Sequence, residues 1–347
     1  MASWDRKREF VALDLGTSNV LAYLGGQGII YNEPSVIAYD TYTGSIVASG
    51  ELASEMIGKT NDGVRMVVPL VDGVIADLDA AKDLIKIIFS RIKLSEILKN
   101  ALVVLACPSG VTELERGALK QVVIDMGARN VLIEEEVKLS AVGAGINISL
   151  ASGHLVIDIG GGTTDIAILS AGDIIISKSI KIAGNQFDDE IRKYIRAEYN
   201  VLIGLKTAEK IKIEIGSLVK IDNGRTYRAF GRDVISGLPR EVVVSPDEVK
   251  NALLSPLSKI TDLVVEVMEH TPAELAGDII RNGITICGGG ALLRGLDSYF
   301  ESIFQLKTSI PAEPLMTVID GAKEYEKQAD KWLEIVALRD AKEYTIR

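Results

Sequence analysis

The sequence predicts an α/β protein built twice, as two related lobes facing each other. Three observations carry the prediction. The chain has 347 residues, more than one ordinary hydrophobic core holds. Short runs rich in β-branched residues alternate with longer segments of helical periodicity. The pattern then restarts halfway: Val11-Ala12-Leu13-Asp14-Leu15-Gly16-Thr17-Ser18-Asn19 and Val156-Ile157-Asp158-Ile159-Gly160-Gly161-Gly162-Thr163-Thr164-Asp165 share one plan. Each is a buried strand with an acid near its end, then a glycine/threonine turn leading into another strand.

The elements follow in order. Residues 10–15, 20–24 and 28–31 read as a meander separated by short glycine turns. Residues 80–92 have helical spacing, 102–106 form a strand closed by Pro108-Ser109-Gly110, and Thr112 opens a helix reaching Met126. Glu113 and Glu115 lie in its first turn, where the dipole favours acids. A strand at 131–133 and a small-residue helix at 137–145 complete the first half. The second half predicts strands from 155 to 180, helices at 187–199 and 207–215, and strands at 226–230 and 241–244. A long helix at 246–269, a strand at 284–287, a helix at 291–296 and an amphipathic helix at 321–341 follow.

Composition narrows the function. Apolar residues make up 47% and charged residues 25%, as in ordinary globular proteins. Mean hydropathy is slightly positive, yet no apolar run approaches the roughly 20 residues a spanning helix needs. Residues 1–10 lack the apolar core of a signal peptide. A net charge of −10 argues against nucleic acid as a partner. Cys107 and Cys287 sit in strand-like runs without a partner motif, which fits a reducing, cytoplasmic compartment. With His154 and His270 the only histidines, composition argues against a histidine metal site, and no nucleophile elbow supports a serine triad.

Glycine turns let backbone N–H groups approach phosphate oxygens and form an anion nest. Gly16, Thr17, Ser18 and Asn19 form one such turn, and Gly160, Gly161, Gly162 and Thr163 the other. Either alone reads equally as a plain hairpin turn; the repetition behind an aspartate favours phosphate. An aspartate inside an apolar strand is costly unless it is paired or near a cation. A shared, hydrated Mg2+ explains both Asp14 and Asp158; turn-capping carboxylates are the alternative. Gly288, Gly289 and Gly290 form a third turn, which can lie against a base or a phosphate or simply join a strand to a helix.

These stretches, with residues 69–77, 107–113, 213–216 and 288–296, resemble the phosphate and adenosine motifs of the actin, sugar-kinase and heat-shock-chaperone ATPase superfamily. Within it the chain resembles the MreB family of bacterial actins over nearly its whole length. The resemblance implies an α/β actin-like fold: two duplicated ribonuclease-H-like lobes around a nucleotide cleft, each with a smaller subdomain. Lobe I would take 1–144 plus 322–347, with its small subdomain at 34–74. Lobe II would take 145–321, with its small subdomain at 182–244.

The resemblance also implies ATP/ADP and Mg2+ as ligands, slow ATP hydrolysis, and self-assembly into protofilaments governing cell shape, wall synthesis or motility. Asp14 and Asp158 would hold the metal mostly through water, and Glu209 and Lys212 would contact ribose and adenine; a surface ion pair is their plain alternative. Counting back from Gly143-Ala144-Gly145, the acid that orients the attacking water is Glu136, with Thr163 as its partner and Asp158 beside them. Val137 and Lys138 depart from the family pattern there, and Glu134 and Glu135 leave the assignment open to a one-residue slip. The family often works on the inner face of the cell membrane with cell-shape proteins. Trp4 among Arg6, Lys7 and Arg8 is too short for a firm anchor; the stretch from Arg91 through Ile92, Leu94 and Ile97 to Lys99 would make that contact, unless it is an ordinary helix end. A small-molecule kinase or a non-polymerising regulatory ATPase of the superfamily are the other readings.

Overall fold

The computed structural model describes residues 9–91, 97–220 and 225–329. They divide into two compact units: residues up to 145 together with those from 316 onward, and Ile146–Leu315.

The first unit opens on an antiparallel meander of β1 (Phe10–Leu15), β2 (Asn19–Leu24) and β3 (Gly28–Pro34). A small sheet follows, made of β4 (Ile37–Asp40), β5 (Ile46–Ser49) and, after α1 (Glu51–Met56), β6 (Val64–Val67). Strands β7 (Leu70–Val71) and β8 (Val74–Ile75) meet at Asp72-Gly73. Both turn residues have positive φ, 51° and 72°, the geometry an Asp-Gly hairpin turn demands. Then come α2 (Leu78–Arg91), β9 (Leu102–Cys107), α3 (Glu113–Asp125), β10 (Asn130–Glu135) and α4 (Glu136–Gly143). Thr112 and Glu115 close a reciprocal capping box at the start of α3. β9 and β10 join β1 in parallel, giving the order β10-β9-β1-β2-β3.

The alternation of a strand sorts this sheet into two buried faces. Val11, Leu13 and Leu15 pack with Leu84 and Ile88 of α2 and with Leu119 and Val122 of α3. Phe10 and Ala12 pack on the other face with Leu139 of α4.

The second unit repeats the plan. β11 (His154–Ile159), β12 (Thr164–Ser170) and β13 (Asp173–Ile180) form a meander. After it come α5 (Gly184–Tyr199), β14 (Val201–Leu202), α6 (Leu205–Ile215), β15 (Tyr227–Asp233), β16 (Pro239–Val244), α7 (Pro246–Glu269) and α8 (Ala273–Asn282). β17 (Ile284–Cys287), α9 (Leu296–Phe304) and β18 (Thr308–Ser309) end the unit. The main sheet runs β13-β12-β11-β17-β18, a meander extended by parallel strands as in the first unit, and β14, β15 and β16 make a small sheet.

The chain then returns to the first unit as α10 (Thr317–Glu326), whose Val318, Ile319 and Ala322 cover the Phe10 face. Glycines let α10 meet α4 backbone to backbone. A Cβ on Gly143 would lie 1.9 Å from Thr317 O, and one on Gly321 would lie 1.9 Å from Leu139 O.

Two expectations about elements change. The helix expected at 291–296 is a single 3₁₀ turn at Gly289–Leu292, and the α-helix starts at Leu296. Gly295 between them has φ +76°, which breaks a helix. The last helix starts at Thr317, four residues before Gly321; its stretch beyond 329 lies outside the described residues. The sheet of β4, β5 and β6 and the helix α8 went unread: β5 and β6 are half-exposed strands with weak alternation, whereas α8 carries a clear apolar stripe that was passed over.

Candidate functional site

In the first unit, Asp14 is the penultimate residue of β1 and is buried, 9% exposed. The parallel register places Asp14, Ala106 and Glu134 in one row across β1, β9 and β10. Their side chains therefore share the face covered by α4 and α10. Glu134 accepts a 2.9 Å hydrogen bond from Tyr325 Oη and pairs with Lys138 at 3.3 Å. Glu135 alternates to the opposite face and pairs with Arg116 of α3 at 3.2 Å. Glu136 leaves the sheet as the first residue of α4, where the helix dipole favours a carboxylate. Three consecutive glutamates thus occupy three environments.

The turn after β1 is tight: a Cβ on Gly16 would sit 2.7 Å from Asn19 O. Gly16 and Thr17 are half-buried, and Ser18 and Asn19 exposed. Thr17 Oγ1 accepts a 3.1 Å hydrogen bond from Gly73 N, which docks the Asp72-Gly73 hairpin on the turn. Asn19 donates to Asn32 at 3.3 Å.

In the second unit, antiparallel register sets Asp158 directly opposite Asp165, 6% and 1% exposed. Two carboxyls at one point of the sheet are a donor set that fits a hydrated cation. The sequence reading did not use Asp165. Its signal was available: a four-residue turn at 160–163 forces 159 to pair with 164 and 158 with 165. Among the described residues no group of three or more acids, histidines or cysteines forms a metal cage. Magnesium needs none, since it keeps waters and takes few carboxylates. The carboxylate chemistry at Asp158 and Asp165 fits it.

The turn itself is closed by a 2.9 Å bond from Gly160 N to Thr163 O, and Gly162 and Thr163 are buried. The first amides of α5 bind its carbonyls: Gly184 N donates to Gly160 O at 3.1 Å and Asn185 N to Gly161 O at 2.8 Å. Lys212, from α6, donates to Gly184 O at 2.9 Å and pairs with Asp188 Oδ1 at 2.8 Å. Burial pushes the Asp188 carboxyl up to about 6, against the downward pull of the Lys212 ammonium. Glu209 pairs with Lys206 at 3.4 Å, so Glu209 and Lys212 are engaged with different partners.

The third glycine turn packs on the end of β11. A Cβ on Gly288, where φ is +79°, would meet Asp158 Oδ1 at 2.4 Å, and one on Gly290 would meet Ile159 Cγ2 at 2.2 Å. Gly289 faces Leu315, 3.0 Å from where its Cβ would be. Leu218 N donates to Arg294 O at 2.8 Å, joining the segment after α6 to the segment after this turn. The second unit therefore gathers Asp158, Asp165, the 160–163 turn, Lys212 and Gly288–Gly290 into one neighbourhood.

Other expected residues fall elsewhere. Trp4, Arg6, Lys7, Arg8, Ile92 and Leu94 lie outside the described residues. Leu98 is wholly buried and Ile97 packs against the same core, so that end of the stretch serves packing. Both cysteines are buried and outside any disulfide, and burial raises Cys107 to about 12, which removes it as a nucleophile.

Two α/β units, each with an acid and a glycine turn at the end of its central strand, define an actin-like protein. The family described as MreB/Mbl protein matches residues 8–334, and the chain belongs to it. It is 41% identical over 311 residues to the cell shape-determining protein Mbl of Bacillus subtilis (strain 168), covering 90% of this chain and 93% of that one. It superposes on the crystal structure of MreB 5 of Spiroplasma citri bound to AMPPNP with a TM-score of 0.92 at 62% identity, over 95% of this chain and 99% of that one. The MamK double helical filament shares the fold, with a TM-score of 0.74 at 20% identity over 93% of this chain and 99% of that one. No described helix is long and apolar enough to cross a membrane.

Proposed function

We propose that this MreB/Mbl-family protein binds ATP with magnesium, hydrolyses it slowly, and assembles with copies of itself into cytoskeletal filaments that serve cell shape, wall synthesis or motility. One observation carries the reading. The same device, an aspartate and then a glycine turn at the end of the central strand, occurs in both units of a chain 62% identical to an AMPPNP-bound relative.

In this reading the backbone amides of residues 16–19 and 160–163 donate to phosphate oxygens. Asp14 and Asp158, with Asp165 beside the latter, orient the water shell of the metal. Magnesium, when bound, offsets the negative charge of the phosphates. Lys212 and Glu209 contact the nucleoside, and Gly288–Gly290 present bare backbone to the base. Glu136 orients the attacking water and takes its proton, with Thr163 as partner. The position of Glu136 as the first residue of α4, past the end of β10, supports this role. The filament would work in the cytoplasm, peripherally on the inner face of the membrane.

Electron microscopy of purified protein with ATP, ADP and a non-hydrolysable analogue, alongside phosphate release, tests this. Filaments that depend on the nucleotide state are expected. A protein that stays monomeric at high concentration with ATP would overturn the filament reading.

A further inference from the structure

Lys212 and Asp188 make a largely buried ion pair between α6 and α5, with side chains 17% and 9% exposed. Burying two charges costs desolvation, and an apolar pair of similar size commonly joins two helices at lower cost. The location makes the charge pair more unusual. Lys212 Nζ sits at Gly184 O, in the first turn of α5, so a cation lies at the positive end of a helix dipole. Asp188, four residues further along the same helix, supplies the charge that offsets this.

The ammonium is also wired to the glycine turn. Gly184, which accepts from Lys212, donates its own amide to Gly160, and the next amide donates to Gly161. An ammonium has three N–H donors. One is directed to Gly184 O, another lies in the ion pair, and among the described residues the third has no partner. A cation held here adds to the anion-attracting field of the α5 N-terminus and the turn.

We propose that Asp188 is a positioning residue, which holds the Lys212 ammonium beside the Gly160–Thr163 turn so that its remaining N–H donates to an oxygen of the nucleotide. The proposal rests on the nucleotide reading of Lys212 given above. Asp188 touches no ligand itself; it acts on affinity through Lys212. The burial that raises its carboxyl and the ammonium that pulls it back describe the same coupled pair.

The test compares the wild type with Lys212→Met, Asp188→Asn, Asp188→Glu and the Lys212→Met/Asp188→Asn double variant. Affinities for a fluorescent ATP analogue with magnesium are measured, with thermal unfolding in the absence of nucleotide as control. Lys212→Met is expected to weaken binding about thirtyfold and Asp188→Asn about tenfold. The double variant should be no weaker than Lys212→Met alone, because both changes remove one contact. Asp188→Glu should recover to within about threefold of wild type, and it carries the test if Asp188→Asn does not fold. A purely structural Asp188 would lower the unfolding temperature while leaving affinity unchanged, or would add its loss in full to that of Lys212→Met; either result overturns the proposal. Wild-type affinity in Lys212→Met would instead show that the nucleotide contact of Lys212 itself is absent, and the role of Asp188 would fall with it.

Discussion

The two glycine turns descend from one plan and differ in how they are held. The turn at 16–19 is half exposed, and its support comes from outside the main sheet, through the bond from Gly73 to Thr17. The turn at 160–163 is more buried, and α5 amides and the Lys212–Asp188 pair brace it from within its own unit. Their acids differ likewise. Asp14 faces Leu21 across its ladder, whereas Asp158 faces Asp165. Under the proposed function, the facing Asp158 and Asp165 give the second unit the larger share of magnesium binding. In that reading the first unit supplies Glu136 for hydrolysis, and its turn is held by the Asp72-Gly73 hairpin. In that reading one repeated plan divides the work through the different packing around each turn.

The largest expected effect tests that division at Glu136. Glu136→Ala should slow phosphate release from assembled protein about a hundredfold while affinity for magnesium-ATP stays near wild type. Unchanged release would remove Glu136 as the water-orienting acid. Next, Asp158→Asn should weaken magnesium-ATP binding about thirtyfold and Asp14→Asn about fivefold, by titration with magnesium present. Equal losses would erase the asymmetry between the turns. With EDTA in place of magnesium, the two variants should approach the wild type.

A smaller effect is expected at Thr17. Thr17→Val keeps the shape but leaves the Gly73 amide without its acceptor, a loss of about 1–2 kcal/mol. It should lower the urea midpoint and speed hydrogen exchange at Gly73, with no matching change around Gly160. Protection lost equally at both turns would contradict their separate support.

The smallest effect is a pH dependence. The Asp188 carboxyl titrates near 6 when folded, above its ordinary unfolded value of about 4. Between those values the native state holds a proton that the unfolded state has released, so the contribution of this group to stability falls as pH rises through that window. Asp188→Asn should flatten that part of the profile, followed as the urea midpoint from pH 4 to 7. A profile identical to wild type would show that the group titrates normally.

Much of this was legible in the sequence because it is local. An acid in an apolar strand followed by glycines is visible in ten residues, and its recurrence at 158–163 discloses the duplication. The capping signals before Glu113 and the proline opening α7 also read directly. The three glutamates did not, because choosing among them requires knowing which sheet face each one takes. Asp188 was silent as well. Its importance comes from Lys212, 24 positions away on another helix, and no sequence spacing announces a contact between packed helices.

The sequence by itself determined the fold class, the repeated acid and glycine turn, and the family, since these depend on periodicity and on residues close along the chain. Only the tertiary structure decided which residues serve each turn. Strand register set Asp158 against Asp165 and sent Glu134 and Glu135 to opposite faces. Helix packing brought Asp188 to Lys212 and, through glycines that tolerate backbone contact, α10 onto α4. Such contacts join residues far apart in the chain, and their energies depend on burial and distance, which the order of residues does not state.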